Sequence, residues 1–334
     1  MLLEIGQASD FYRAVVPAYQ RVRAAEDTAG DRLEVVFAPG TYAAVNLSLG
    51  DGLDGRPVDL ILRAADAARP PVLRELSLSV SGQRVHLSGL IFSHSRSGAP
   101  TLRVVVGAEV TIERCAFVDL ASLAPADGHL VELVAAGDAG QATASVRDCW
   151  FVGNWAQDGG TMLACLPAPP HTFGRLDLHN VACLDNHADT SVAPGPTGQV
   201  QLTACVVCEP ADAGSQAPVP VSIGLDQPRT QVSIAGSLCV VEDLEHLVSV
   251  PLAHDTRNGG SGVTIVDSWL VLRRPPAAGE APPGCSLSRT QVTRGQPAAY
   301  ASRLAAVAAS SLADARRGAL PDAARLRAAL LDRA

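Results

Sequence analysis

VTIERCAFVDL (110–120) and ASVRDCWFVGN (144–154) carry the same nine-residue phrase: a strand, a one-residue kink and a second strand. Aligned on its first residue, the phrase occurs seven times, beginning at Val85, Val110, Ala144, Leu176, Val200, Val232 and Val263. One unit thus recurs every 24 to 34 residues, a period that marks stacked repeats. The first and third places are apolar, as in Val110 and Ile112 or Leu176 and Leu178, and so are the sixth and eighth, which is strand parity. The fifth place holds Gly89, Arg114, Asp148, Asn180, Ala204, Gly236 and Asp267, and five of these seven are the residue types that tolerate positive φ. A left-handed kink between two strands is predicted there. The sixth place (Leu90, Cys115, Cys149, Val181, Cys205, Ser237, Ser268) and the eighth (Phe92, Phe117, Phe151, Cys183, Val207, Cys239, Leu270) then stack like residues in a core. A third apolar run accompanies most copies, at 102–106, 130–134, 162–166, 219–223 and 247–250. Three short strands per turn make a solenoid coil.

The two phrases quoted above resemble the coils of right-handed parallel β-helix proteins of the pectin-lyase-like superfamily. VVFAPGTY (35–42) is similar to the strand and turn that open the first coil there, after an N-terminal helix. The fold expected is an all-β, right-handed parallel β-helix of about eight to nine coils with helical caps. Residues 1–32 form the N-terminal cap, whose helix over 10–28 places Phe11, Val15, Val16, Tyr19 and Val22 on one side, with Asp10 as N-cap and Gly30 as stop. Residues 33–275 form the β-helix, and 276–297, beginning within RRPPAAGEAPPG (273–284), form a linker. Residues 298–334 form a helical tail with Leu304, Val307 and Leu312, then Leu326, Leu330 and Leu331, at helical spacing around a break at 318–321. Such a tail either folds back as a cap or serves as a docking and self-association segment.

The formal net charge of −8, without a basic patch and interleaved aromatics, argues against nucleic acid as a ligand. All 26 basic residues are arginine, a bias that matches a GC-rich bacterial genome and forbids lysine-dependent chemistry. No apolar run reaches membrane-spanning length, and no basic and apolar leader opens the sequence, so a cytoplasmic protein, or a part of a particle assembled in the cytoplasm, is expected. Of eight cysteines, Cys115, Cys149, Cys183, Cys205 and Cys239 fall at inward places and read as core filler. Cys205 and Cys208 form a lone C-x-x-C, but strand parity points them to opposite faces, which disfavours zinc.

The constellation that best suits chemistry is a column of acids. Asp127, Asp158 and Asp189 recur every 31 residues, in DGHLVEL, DGGTMLA and DTSVAP, each just before a third strand. Stacked carboxylates could hold calcium through oxygen ligands or supply an acid and a base, with His129 and His187 as neighbouring candidates, Glu132 and Asp185 nearby, and Trp150 and Trp155 as a sugar-stacking face. Solvated turn acids are the plainer reading of the same column, since Asp-Gly before a strand is ordinary turn chemistry. The resemblance places a polysaccharide groove along the third strand. The W-x-D-H and R-x-P-x-x-R segments of pectate lyases, the N-T-D, G-H-G and R-I-K of polygalacturonases and the D-P-H-D of alginate epimerases do not occur; Gly128-His129 is all that the chain offers. His86 and His179 occupy outward places, and no nucleophile elbow or phosphate loop is present. The expectation is a non-catalytic β-helix acting as a rigid structural or binding part, a fibre, spike or scaffold of a bacterial or phage-tail-like assembly, with self-association or a protein partner through the tail. The alternative is a polysaccharide lyase or glycoside hydrolase working along the Asp127, Asp158 and Asp189 face.

Overall fold

The computed structural model describes residues 1–24, 32–43, 46–50, 58–123, 128–136, 141–156, 160–168, 171–188, 190–195, 197–208, 219–222, 230–241, 247–249, 262–272, 274, 285–294 and 297–331. Parallel strands fall into three series, one member of each per coil, which is a parallel β-helix with helical caps. In the first series Leu33, Leu60, Val85, Val110, Ala144, Leu176, Val200, Val232, Val263 and Cys285 lie side by side, so the seven starts of the phrase are in register. The second series has ten three- or four-residue strands, from Thr41–Ala43 to Gln291–Arg294. The third aligns Leu47, Leu78, Leu102, Val131, Leu163, Val192, Val221 and Val248. Leu78–Ser88 and Leu102–Glu113 run unbroken from the third series into the first.

The last rung, Cys285–Ser288 and Gln291–Arg294, falls inside the stretch expected to be a linker and makes the solenoid longer than eight to nine coils. Its residues (CSLS, QVTR) are too polar to signal a strand alone; the ladder below supplies their partners.

The kink residues Gly89, Arg114, Asp148, Asn180, Ala204, Gly236 and Asp267 all have φ between 49° and 69°. Each donates its N–H to the next coil, as Asp148 does to His179 O at 3.0 Å and Asn180 to Thr203 O at 2.9 Å. Five of the seven sixth places that follow hold Cys or Ser, for a reason. Cys149 Sγ donates to Arg147 O at 3.1 Å, Ser237 Oγ to Ala235 O at 3.0 Å and Ser268 Oγ to Val266 O at 2.8 Å, each closing the kink locally. Inside, Phe92, Phe117 and Phe151 stack with centroids 4.9 and 4.7 Å apart, and Cys183, Val207, Cys239 and Leu270 continue their column. Rings held in register at the strand repeat lie nearly parallel, 4° and 12° apart, and bury their faces against one another.

The N-terminal helix α1 comprises Ala8–Asp10, a π-helical turn Phe11–Val15 and Val16–Ala24. Pro17, which has no N–H to offer, explains why the ladder widens there. Phe11, Val15, Tyr19 and Val22 are buried over the end of the core, as their spacing predicts, and Leu2–Ile5 pairs in parallel with Arg32–Phe37. Asp10 is not the N-cap; Gln7 is, and the Asp10 carboxylate reaches back to the N–H groups of Gly6 and Gln7, both at 3.1 Å. Gly30 lies outside the described residues.

The C-terminal helices α2 (Pro297–Arg316) and α3 (Ala323–Leu331) fold back as a hairpin over the outer face of the second series. Leu304, Ala308, Ala315, Leu326 and Leu330 pack on Ile91, Val118, Trp150, Leu184 and Val206. Polar tethers fasten it: Arg316 to Asp119, Trp150 Nε1 to Ala319 O at 2.7 Å, Asn180 Nδ2 to Pro321 O at 2.8 Å, the Ala323 N–H to Asn180 Oδ1 at 3.3 Å and Arg327 Nη1 to Gly236 O at 2.5 Å. Gly318 ends α2 with φ +70°, and a Cβ there would come within 2.3 Å of Pro70.

Candidate functional site

A second left-handed column, two residues past the inward place of the second series, turns each coil toward its third strand. Glu75, His94, Asp119, Gly153 and Asp185 occupy it, with φ between 53° and 64°. Directly beneath, Ser95, Leu120, Asn154 and Asn186 are buried. Asn154 Oδ1 accepts from Leu120 N–H at 3.0 Å, while its Nδ2 donates to Phe117 O at 3.0 Å and to Asn186 Oδ1 at 2.8 Å. Asn186 Nδ2 repeats the pattern one coil on, donating to Phe151 O at 2.9 Å. These amides pin the corner of three successive coils.

On this footing a short parallel ladder forms from Arg96–Ser97, Ala121–Ser122 and Trp155–Ala156, and His187 bridges to Trp155. Arg96, Ala121, Trp155 and His187 therefore follow one another along the corner at the strand spacing of about 4.8 Å. Trp155 keeps 42% of its surface exposed, rare for so large an apolar side chain, and its backbone is held by Leu120 O at 2.7 Å. At the N-terminal end of the ridge Arg96, His94 and Glu75 line a polar cleft of about 470 Å³ with Asn46, Ser77, Ser95 and Ser97. His94 lies 3.8 Å from Asp119, which also receives Arg316 of the hairpin. An aromatic face flanked by an arginine, histidines and acids on a rigid backbone suits a flat polar ligand with apolar C–H faces, such as a sugar chain.

Asp127, Asp158 and Asp189 lie outside the described residues. The third strands that follow them pair His129 with Thr161 and Thr161 with Thr190, offsets of 32 and 29 residues rather than two of 31. His129 opens its third strand, whereas His187 belongs to the corner ridge beside Trp155; the two are in different ladders. Glu132 faces outward from the third series and pairs with Arg103 at 3.2 Å, its side chain only 12% exposed. Trp150 does not join the sugar-stacking face. Its register with Ala116 and Ala182 turns it to the outer face of the second series, where the hairpin buries it.

Cys115, Cys149, Cys183, Cys205 and Cys239 are buried in the main core, and Cys208 lies on the opposite face from Cys205, under the hairpin. Burial pushes the Cys165, Cys205 and Cys239 thiols up to about 12 and Cys149 well above its ordinary value, which makes them poor nucleophiles. Among the described residues no three histidine, cysteine or acidic side chains gather as a metal site, and no helix is long and apolar enough to cross a membrane. The ridge itself had a signal in the sequence: Asp119, Gly153 and Asp185 all fall two places after the eighth residue of their phrases, the same left-handed types as at the first kink.

No family model matches the chain, and no curated protein matches it. Among solved structures it is distantly similar to pectate lyase Pel9A, with 12% identity over 91% of this chain and 81% of that one and a TM-score of 0.45.

Proposed function

We propose that the chain is a rigid, non-catalytic β-helical part of a larger assembly, and that its corner ridge holds an extended carbohydrate. The observation that carries this reading is Trp155, exposed in register with Arg96, Ala121 and His187 on a corner whose backbone is fixed by buried amides. A ligand chain lying along the ridge meets one side chain per coil, and no rearrangement is needed to present them, which lowers the ordering cost of binding. Calorimetric titration with neutral and acidic polysaccharides tests it: binding is expected, and Trp155→Ala should weaken it at least tenfold while leaving the melting temperature in place. Undiminished binding by that variant would refute the ridge.

Assembly through the hairpin belongs to the same reading. The outward residues of α2, Ser302, Ala305, Ala306 and Ala309, form an uncharged face that a protein partner or a second copy can approach closely. Eight unbridged cysteines, seven of them buried, suit a reducing compartment such as the cytoplasm.

One observation favours a second reading, a polysaccharide lyase or glycoside hydrolase. Asp127, Asp158 and Asp189 precede third strands that follow the ridge within a few residues, so a chain bound at Trp155 runs close to them in sequence. Their carboxylates would serve as calcium ligands or as acid and base, with His129 and His187 as proton carriers. Turnover of a uronic-acid polymer, with or without calcium, that disappears in Asp158→Ala would establish this reading over the first.

A further inference from the structure

We propose that a second site, in the cleft between α3 and the last rungs of the solenoid, binds a small carboxylate whose body presents a flat apolar face. The cleft is open, with a volume of about 650 Å³, and is lined by Asp267, Trp269, Arg289, Gln291 and Arg327, with Ala324, Ala328 and Leu331 as an apolar wall. That volume falls within the roughly 300–1,000 Å³ typical of small-molecule sites. It lies at the far end of the second series from Trp155 and depends on nothing in the ridge reading.

The charges in the cleft are unequal. Arg289 is matched by Asp267 in a two-pronged ion pair, Nε to Oδ1 at 2.6 Å and Nη2 to Oδ2 at 2.7 Å. Arg327 instead donates to two backbone carbonyls, Nη1 to Gly236 O at 2.5 Å and Nε to Ala323 O at 3.2 Å. Both bonds fix the plane of its guanidinium without neutralising it, and no carboxylate pairs with it among the described residues. Among the described lining residues, two arginines against one aspartate leave one net positive charge, on a chain whose formal charge is −8. A guanidinium already oriented by its other donors has little entropy left to lose on taking an anion.

Beside it Trp269 supplies the stacking surface. Its indole Nε1 donates to Thr293 Oγ1 at 2.9 Å, which holds the ring in one orientation. An anion alone would leave the indole and the alanine wall of α3 unused, and a neutral ring would leave Arg327 without its counter-charge. A carboxylate on a flat body, from either an aromatic acid or a sugar acid, meets both.

Calorimetry on the full chain separates these outcomes with benzoate, indole-3-acetate, glucuronate and benzamide as the probes. One-to-one saturable binding of a carboxylate is expected, with benzamide at least tenfold weaker; preference between the aromatic acids and glucuronate names the source. Asp267→Asn is the informative variant, because asparagine is at home at the left-handed φ of 49° and the change frees Arg289 without disturbing the kink. It should tighten carboxylate binding several-fold, and Trp269→Leu should weaken it at least fivefold. Absence of saturation by every carboxylate at millimolar concentration, equal binding of benzamide, or an Asp267→Asn protein that binds no tighter would each overturn the proposal.

Discussion

Exchanging one amide for a carboxyl at the buried corner tests the footing of the ridge. In Asn154→Asp one oxygen still accepts from Leu120 N–H, but the other replaces Nδ2 and faces two acceptors, Phe117 O and Asn186 Oδ1, that were 3.0 and 2.8 Å from the lost donor. Rotating the Asn186 amide only moves the conflict one coil on, since its Nδ2 is needed at Phe151 O. A fully buried, uncompensated carboxylate costs about 3–5 kcal/mol. The proton removes much of that, because a neutral carboxyl can donate where the amide did. The introduced group therefore has a folded pKa raised above its unfolded value of about 3.9. A raised pKa means that the variant approaches the parent below about pH 4, and its deficit grows by about 1.4 kcal/mol per pH unit until the folded pKa is passed. Urea unfolding of parent and variant at pH 7.5 and pH 5 measures the deficit at each pH. A deficit of the same size at both would show that the corner does not depend on amide donation.

Other consequences are as definite. Phe117→Ala removes the middle ring of the aromatic stack and should cost about 3–5 kcal/mol in unfolding free energy, more than Phe92→Ala if the two-sided contact matters. Deleting 297–334 uncovers Ile91, Val118, Trp150, Leu184 and Val206 together, so light scattering should show association and a hydrophobic dye should bind; a monomeric, dye-silent product would contradict the cis-packed hairpin. Cys205→Ser should be nearly neutral at pH 7, because Ser237 and Ser268 fill the same place in the column. Burial raises the Cys205 thiol from 9.0 to about 12, so its contribution is whole below pH 9 and is lost as pH climbs toward 12; at pH 10 the serine variant should gain about 1.4 kcal/mol on the parent.

Most of the solenoid was legible because its signal is repeated. Seven copies of one phrase average out the irregular ones, so Arg114 and Ala204, poor residues for positive φ, did not hide the kink that Gly89, Asn180 and Gly236 announce. The last rung was not legible, since Cys285–Ser288 and Gln291–Arg294 become strands through the ladder they extend rather than through their own residues. The site was read only in part. Trp155 and His187 were candidates, but that they are neighbours depends on a one-residue bridge set by Asn154 and Asn186, a tertiary detail. Trp150 was misplaced because a strand's outward face reads as solvent-exposed until a distant segment is known to cover it, and α2 and α3 lie about 150 residues further along.

That cover also accounts for the residue choices at the first kink. At Gly89, outside the hairpin, glycine meets the left-handed φ of 69° and also leaves room for Ala64, whose Cβ would lie 3.1 Å from an added one. Under the hairpin the same positions have a second partner. Asn180 meets the left-handed requirement and also binds both Pro321 O and the Ala323 N–H, thereby capping α3 across 143 residues of sequence. Gly236 leaves its carbonyl open to Arg327. Ala204, with φ 53°, carries the penalty of roughly 1–2 kcal/mol for a side chain in this region, and what offsets it is the packing of its methyl against the cluster beneath α3. The kink column is thus an interface as well as a corner. The tethers along it fix α3 over the second series, and the cleft that holds Trp269 and Arg327 takes its shape from that placement.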